Sequence, residues 1–152
     1  MNKGVVISLA SIGVAQLLKV PIKKYETGVW NWGLVASSGG MPSSHSAGVS
    51  SLATYIGLKK GISSTEFALA SIFGIIVMYD AQGIRRQTGE ITIKVNTLDE
   101  EIERLAGEPD KGFHDLAEER LKEMLGHQPE EVVGGAILGV AMGALGYFLE
   151  RN

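Results

Sequence analysis

Four uncharged apolar stretches set the limits on how this chain can fold. Residues 4–18, 46–58, 67–79 and 132–149 contain no Asp, Glu, Lys or Arg. Each is apolar most of the way round a helix rather than along one stripe, so each must be enclosed by protein or by lipid. Crossing a bilayer takes about 20 residues, with a lower limit near 17. Only residues 132–149 reach that length unaided; the others need polar flanks, tilt or local thinning. Two features favour lipid over a soluble helical bundle. Gly135, Gly139 and Gly143 recur at four-residue spacing, the small-residue pattern of close helix contact in membranes. The same stretch is bounded abruptly by charge, with Glu130 and Glu131 before it and Glu150 and Arg151 after it. The glycine face suits either an internal helix contact or a second copy of the chain, so a homo-oligomer through Gly135, Gly139 and Gly143 is one expectation. The first stretch follows Lys3 and runs directly into Lys19, Lys23 and Lys24 with no convincing small-residue cleavage site, and is read as a retained helix rather than a leader.

The fold class expected is therefore all-α: an integral-membrane helical bundle of about four spans, formed by one domain over residues 1–152. A charged insert interrupts it between the third and fourth spans. Residues 97–131 hold twelve acids and four bases, a net −8, whereas the rest holds five acids and ten bases, a net +5. Within the insert, residues 97–125 read as one or two solvent-exposed helices. Thr97 is the expected cap, with Glu100 three residues on, and Gly107-Glu108-Pro109-Asp110 is a turn. His114 lies in this acidic run and is assigned no chemistry. Residues 21–42 read as a Gly/Ser/Trp-rich loop or short re-entrant helix, with Trp30 and Trp32 suited to the headgroup level. The chain has no Cys, which excludes disulfides, thiolate metal sites and a Cys nucleophile. No cofactor and no nucleic-acid partner is expected.

Four spans sort the connecting segments onto two sides. Residues 19–45 and 80–131 share one side; residues 59–66 and both termini share the other. The chemically loaded residues Lys19, Ser43, Ser44, His45, Asp80, Arg85, Arg86, His127 and Glu131 all fall on the first side. That side also carries six bases near the spans (Lys19, Lys23, Lys24, Arg85, Arg86, Lys94) against four on the other (Lys3, Lys59, Lys60, Arg151). The bias leans towards a cytoplasmic active face, in what is expected to be a bacterial plasma membrane.

The chemistry of this side suits a phosphate. Gly39-Gly40-Met41-Pro42-Ser43-Ser44-His45-Ser46 precedes an apolar helix. A helix N-terminus with hydroxyls is both an ordinary cap and a ready anion site, and an imidazole beside it can move a proton near neutral pH. Tyr79-Asp80-Ala81-Gln82-Gly83-Ile84-Arg85-Arg86 ends the third stretch. Paired guanidinium forks match phosphate geometry, although Arg-Arg also serves as a positive-inside stop; Asp80 can hold one of them in place. In Gly126-His127-Gln128-Pro129-Glu130-Glu131 the last Glu follows His127 by four residues, which puts both on one helical face. A carboxylate on one ring nitrogen fixes the tautomer and makes the other nitrogen a better nucleophile.

These three motifs, in this order, resemble the divergent branch of the type-2 phosphatidic acid phosphatases, a branch related to acid phosphatases and vanadium-dependent haloperoxidases. The resemblance covers nearly the whole chain. It implies that Pro42-Ser43-Ser44-His45 stands for the superfamily's Pro-Ser-Gly-His motif, with Ser44 in place of Gly. It implies further that His45 is the general acid, His127 the nucleophile that forms a phosphohistidine, and Glu131 the carboxylate that orients it in place of Asp. Lys19 and Arg85 or Arg86 would grip the phosphate oxygens, and Ser43 or Ser44 with nearby N–H groups would complete the cradle. Two features depart from the wider pattern: no Arg-Pro follows Lys19, and 40 residues separate Arg86 from His127 where the superfamily has a short spacing.

The expected activity is metal-free hydrolysis of a lipid phosphate monoester, or of a polyprenyl phosphate or diphosphate, at the bilayer surface. Three alternatives stay open on the sequence: a metal-dependent phosphohydrolase using Asp80, Glu90, His127 and Glu131; a non-catalytic protein that binds anionic headgroups; and a transporter, for which charged residues within spans are expected but where Gln16 is the main polar exception.

Overall fold

The computed structural model describes residues 2–37, 39–106 and 127–151, and their side chains apart from those of residues 84–86, 103 and 106. Among the described residues all regular structure is helical. The elements are α1 (Lys3–Thr27), a short 3-10 helix (Trp32–Ala36), α2 (Ser44–Lys60), α3 (Thr65–Gln82), α4 (Ile84–Ala106) and α5 (Pro129–Arg151). Three stretches are long and apolar enough to cross a membrane: α1, residues Thr65–Ile102 and α5. The fourth apolar segment becomes α2, whose 17 residues are enclosed by α1, α3 and α5.

The polarity of the bundle is the reverse of that of a water-soluble one. Its fully buried side chains include Ser11, Ser43, Ser46, Ser51, Lys19 and His127, with Ala15 and Ala47. Its large apolar residues point out: on α3, Leu69, Ile72, Phe73, Ile75 and Ile76 are all between 58% and 67% exposed. Such a surface is stable only against hydrocarbon, and the small interior follows from the same constraint. Between helices in lipid there is no hydrophobic gain to be made, so contact comes from close backbone approach and interhelical hydrogen bonds.

The α2–α5 interface shows the device. A Cβ added to Gly135, Gly139 or Gly143 would overlap the carbonyl oxygen of Ser43, Ala47 or Ser51 respectively. Two small-residue rows with the same four-residue step thus lie in register along the pair. The glycine face read from the sequence as suited to an internal contact or to a second copy is occupied within the chain. α1 joins through the Ser11 hydroxyl, which donates to the Ala47 carbonyl at 3.1 Å.

The two ends of the bundle sort as alternating spans require. At one end Lys3 of α1 and Lys59 of α2 meet Glu150 of α5, at 3.4 and 2.8 Å, and the buried Tyr55 hydroxyl also donates to Glu150. The termini and the α2–α3 connection therefore share that end. Lys19, His45 and His127 lie at the other.

Three local expectations are corrected. α1 does not end near Lys19 but continues through Pro21 to Thr27. Its last turns carry their own support: Lys23 pairs with Glu26 at 3.0 Å and the Thr27 hydroxyl donates to the Lys23 carbonyl. The loop expected over 21–42 shrinks accordingly. Thr97 is not a cap, because it lies inside α4, where its hydroxyl donates back to the Ile93 carbonyl at 2.8 Å. The acidic insert therefore begins within a helix that started at Ile84. The expected turn at 107–110, His114 and the remainder of the insert to residue 125 lie outside the described residues.

Candidate active site

The site is built where three helix ends converge. α2 begins at Ser43, whose hydroxyl accepts the Ser46 N–H at 3.3 Å and the Ser46 hydroxyl at 3.1 Å. This is the N-cap read from the sequence, and capping occupies Ser43's lone pairs. The first-turn amides ahead of Ser46 have no carbonyl four residues back within the helix, and Ser44, 5% exposed, stands with them. The strand of chain before the cap is tied to α5: Ser43 N–H donates to the Glu131 carbonyl at 2.9 Å. Gly40, with φ +93°, takes a left-handed conformation that a side chain would strain.

α5 begins at Pro129, a residue suited to the first helical turn because its missing N–H would have no helical partner there. Just before it, the His127 N–H donates to the Ala81 carbonyl at 3.0 Å. This single bond joins the last turn of α3 to the start of α5 and closes the gap that 40 intervening residues open between Arg86 and His127. Asp80 precedes Ala81 in that last turn of α3. Arg85 and Arg86 fall in the first turn of α4, at the same junction; their side chains lie outside the described residues.

The histidine pair forms the centre. His127, 1% exposed, has its Nδ1 2.8 Å from Glu131 Oε2, and the same carboxylate oxygen accepts the Gln128 N–H at 3.2 Å. A carboxylate can only accept, so His127 Nδ1 carries the hydrogen and its Nε2 holds the free lone pair in the neutral ring. That Nε2 faces His45 Nδ1 at 3.4 Å, with the rings edge-to-face and their centroids 5.6 Å apart. A separation of 3.4 Å is long for a hydrogen bond, so the contact is weak and easily parted. The three groups form one directed line: Glu131 orients His127, and the lone pair of His127 points to His45.

A cation completes the surroundings. Lys19 is buried, 2% exposed, with its Nζ donating to the Ser37 carbonyl at 3.0 Å. Its stem runs beside Gly40, where an added Cβ would sit 3.7 Å from Lys19 Cδ, and its charge is felt at Glu131. Gln16, one turn earlier on α1, donates to the same Ser37 carbonyl at 3.4 Å. Its Oε1 is buried and finds no hydrogen-bond partner among the described residues. The structure thus brings together Lys19, Ser43, Ser44, His45, His127 and Glu131. Sequence reasoning passed over Gln16 as a site residue, and Gly40 and the Ala81 carbonyl as its supports. For Gln16 a signal existed, since it lies three residues before Lys19 on the same helical face; for a carbonyl there is none. Asp80, Glu90, His127 and Glu131 are not gathered into one ligand group. Among the described residues no three His, Asp or Glu side chains gather as ligands.

Comparison with known proteins identifies the family. The model of the divergent PAP2 family matches residues 1–142. The chain is similar to YuiD of Bacillus subtilis (strain 168), described as an uncharacterized membrane protein, at 44% identity over 146 residues, covering 93% of this chain and 92% of that one. No solved structure matches. With the family model spanning all three convergent motifs, the chain is an integral-membrane member of the divergent PAP2 family.

Proposed function

We propose that this protein is a phosphatase that hydrolyses a lipid phosphate monoester, or a polyprenyl phosphate or diphosphate, through a phosphohistidine. The observation that carries the reading is the line Glu131–His127–His45, at 2.8 and 3.4 Å. It offers a nucleophilic nitrogen oriented by a carboxylate and, facing it, a second imidazole able to give a proton.

The reaction runs in two balanced steps. His127 Nε2 attacks phosphorus and forms the N–P bond; the bond from phosphorus to the lipid oxygen breaks, and His45 gives that oxygen its proton. Water then enters, His45 takes a proton from it, and the resulting oxygen attacks phosphorus. The N–P bond breaks, His127 is restored and inorganic phosphate leaves. Glu131 stabilises the positive charge that His127 gains while bonded to phosphorus. The Lys19 ammonium, the first-turn amides of α2, Ser44 and the Arg85–Arg86 pair neutralise the phosphate oxygens.

Attack needs the nucleophile ~3–3.5 Å from phosphorus and the acid within ~2.6–3.2 Å of the leaving oxygen. The two imidazole nitrogens must therefore part beyond about 6 Å when substrate enters. The long contact between them offers little resistance to that opening. A lipid substrate fits a site at the end of a bundle whose outer surface is apolar, because its chains can remain in hydrocarbon while its headgroup reaches the helix ends. Six flanking bases against four favour the cytoplasmic face of a plasma membrane for this end.

The test is phosphate release by purified protein from a panel of lipid phosphates in excess chelator, with His127→Ala alongside. Release that survives chelator and vanishes in the variant is the expected result. Release only with added magnesium contradicts the mechanism. Headgroup binding without release from any substrate replaces hydrolysis by binding.

A further inference from the structure

α4 carries an apolar stripe that the other described residues leave open. Ile91, Val95, Leu98, Ile102 and Leu105 are 60%, 38%, 60%, 63% and 77% exposed, whereas Gly89 and Asn96 of the same helix are buried. The stripe is narrow, and its steps alternate between four and three residues. That period, 3.5 rather than 3.6, belongs to helices that wind around a partner helix. It contrasts with α1, α3 and α5, which are apolar all round as lipid-facing helices are.

We propose that this stripe is a dimer seam, at which two copies of the chain pair their α4 helices in parallel. Three observations select that occupant. In heptad register, Val95 and Ile102 take the a positions and Ile91, Leu98 and Leu105 the d positions. β-branched residues at a with Leu at d, the pattern of Val95, Leu98, Ile102 and Leu105, favour a parallel two-stranded pair; Ile91 at d departs from it. Lys94 then falls at g and Asp99 at the following e position, the two sites that face each other across a parallel dimer. Two-fold symmetry makes that attraction twice. Finally, α4 follows directly on α3 through Gly83, whose backbone stays in the right-handed helical region (φ −89°, ψ −77°). Two copies in one bilayer share an orientation, so their α4 helices run the same way. A lipid contact would not need the heptad step, nor the flanking opposite charges. The dimer would fix the α3–α4 junction, where Asp80, Arg85 and Arg86 lie.

The chain has no cysteine, which makes the test direct. Leu98→Cys and Ile91→Cys, oxidised in native membranes, are expected to give disulfide-linked dimers, and Glu100→Cys, on the far side of the helix, is not. Lys94→Asp should weaken the dimer roughly ten-fold, by turning both cross-pairs into repulsions. The double change Lys94→Asp with Asp99→Lys should restore it. A Leu98→Cys protein that stays monomeric, or that cross-links no better than Glu100→Cys, overturns the proposal. A monomer whose Leu98→Cys thiol reacts only with a membrane-soluble maleimide assigns the stripe to lipid instead.

Discussion

At the scale of single residues, the proposed chemistry turns on the tautomer of His127. The Glu131 carboxylate 2.8 Å from Nδ1 keeps the lone pair on the side that faces His45. Glu131→Gln retains the shape but can present its amide N–H to the ring and reverse the tautomer. We expect it to lower kcat by ~10²–10⁴ with little change in KM, an effect of the size seen when an orienting carboxylate is neutralised. An unchanged kcat would remove Glu131 from the mechanism. His45→Gln should behave differently. Loss of the acid slows the first step for a poor leaving group, but a nitrophenyl ester, which needs no protonation, should still phosphorylate the protein, and turnover should stall before water attacks. The contact between His127 and Glu131 was legible from their four-residue spacing, although His127 precedes the first turn of α5 instead of lying within it. The partnership of Lys19 and Gln16 over the Ser37 carbonyl, at 3.0 and 3.4 Å, was not legible, because a loop carbonyl leaves no trace in residue type.

At the scale of elements, the α2–α5 contact carries the site. Ser43 caps α2 and lies against Gly135; His45 follows the cap by two residues, and Glu131, the partner of His127, begins the same stretch of α5. Gly139→Leu should push the helices apart. Overpacking of this kind costs about 1–3 kcal/mol or more, and the expected readout is loss of folded protein in detergent together with activity. By contrast, Ser11→Ala loses one interhelical hydrogen bond, to Ala47, and should cost only about 0.6 kcal/mol; thermal unfolding in detergent separates the two. The glycine spacing announced a close contact but not its partner, since Ser43, Ala47 and Ser51 are unremarkable in a sequence. Element boundaries were less legible. Lys19, Lys23 and Lys24 looked like the end of a span, yet α1 continues for two more turns on local ion pairing. Thr97 looked like a cap, yet it sits mid-helix because its hydroxyl can satisfy itself on the Ile93 carbonyl and nothing breaks the helix before it.

At the scale of the whole molecule, the inverted polarity of the bundle and the separation of its two ends form one statement about the membrane. The end with Lys3, Lys59 and Glu150 and the end with His45 and His127 should face opposite compartments. A cysteine placed at Ile62, exposed on the α2–α3 connection, should be labelled from outside intact cells by an impermeant maleimide. One placed at Val29, exposed beyond the end of α1, should be labelled only after the cells are opened. Equal labelling of both from outside would contradict the topology. This level was legible early, because length, absence of charge and alternation of sides follow from bilayer thickness. The convergence of all three motifs was not, since the bond from His127 N–H to the Ala81 carbonyl joins residues that the sequence holds 46 positions apart.

The most direct test of the account is to find the phosphoryl group on the protein. His45→Gln, given a nitrophenyl phosphate and quenched without acid, should carry one phosphoryl group on the peptide containing His127, stable in alkali and lost in acid as an N–P bond requires. That result would establish the covalent intermediate. Phosphate release with no covalent adduct, or an adduct on Ser43 or Ser44, would contradict the central claim and make water or a serine the attacking group.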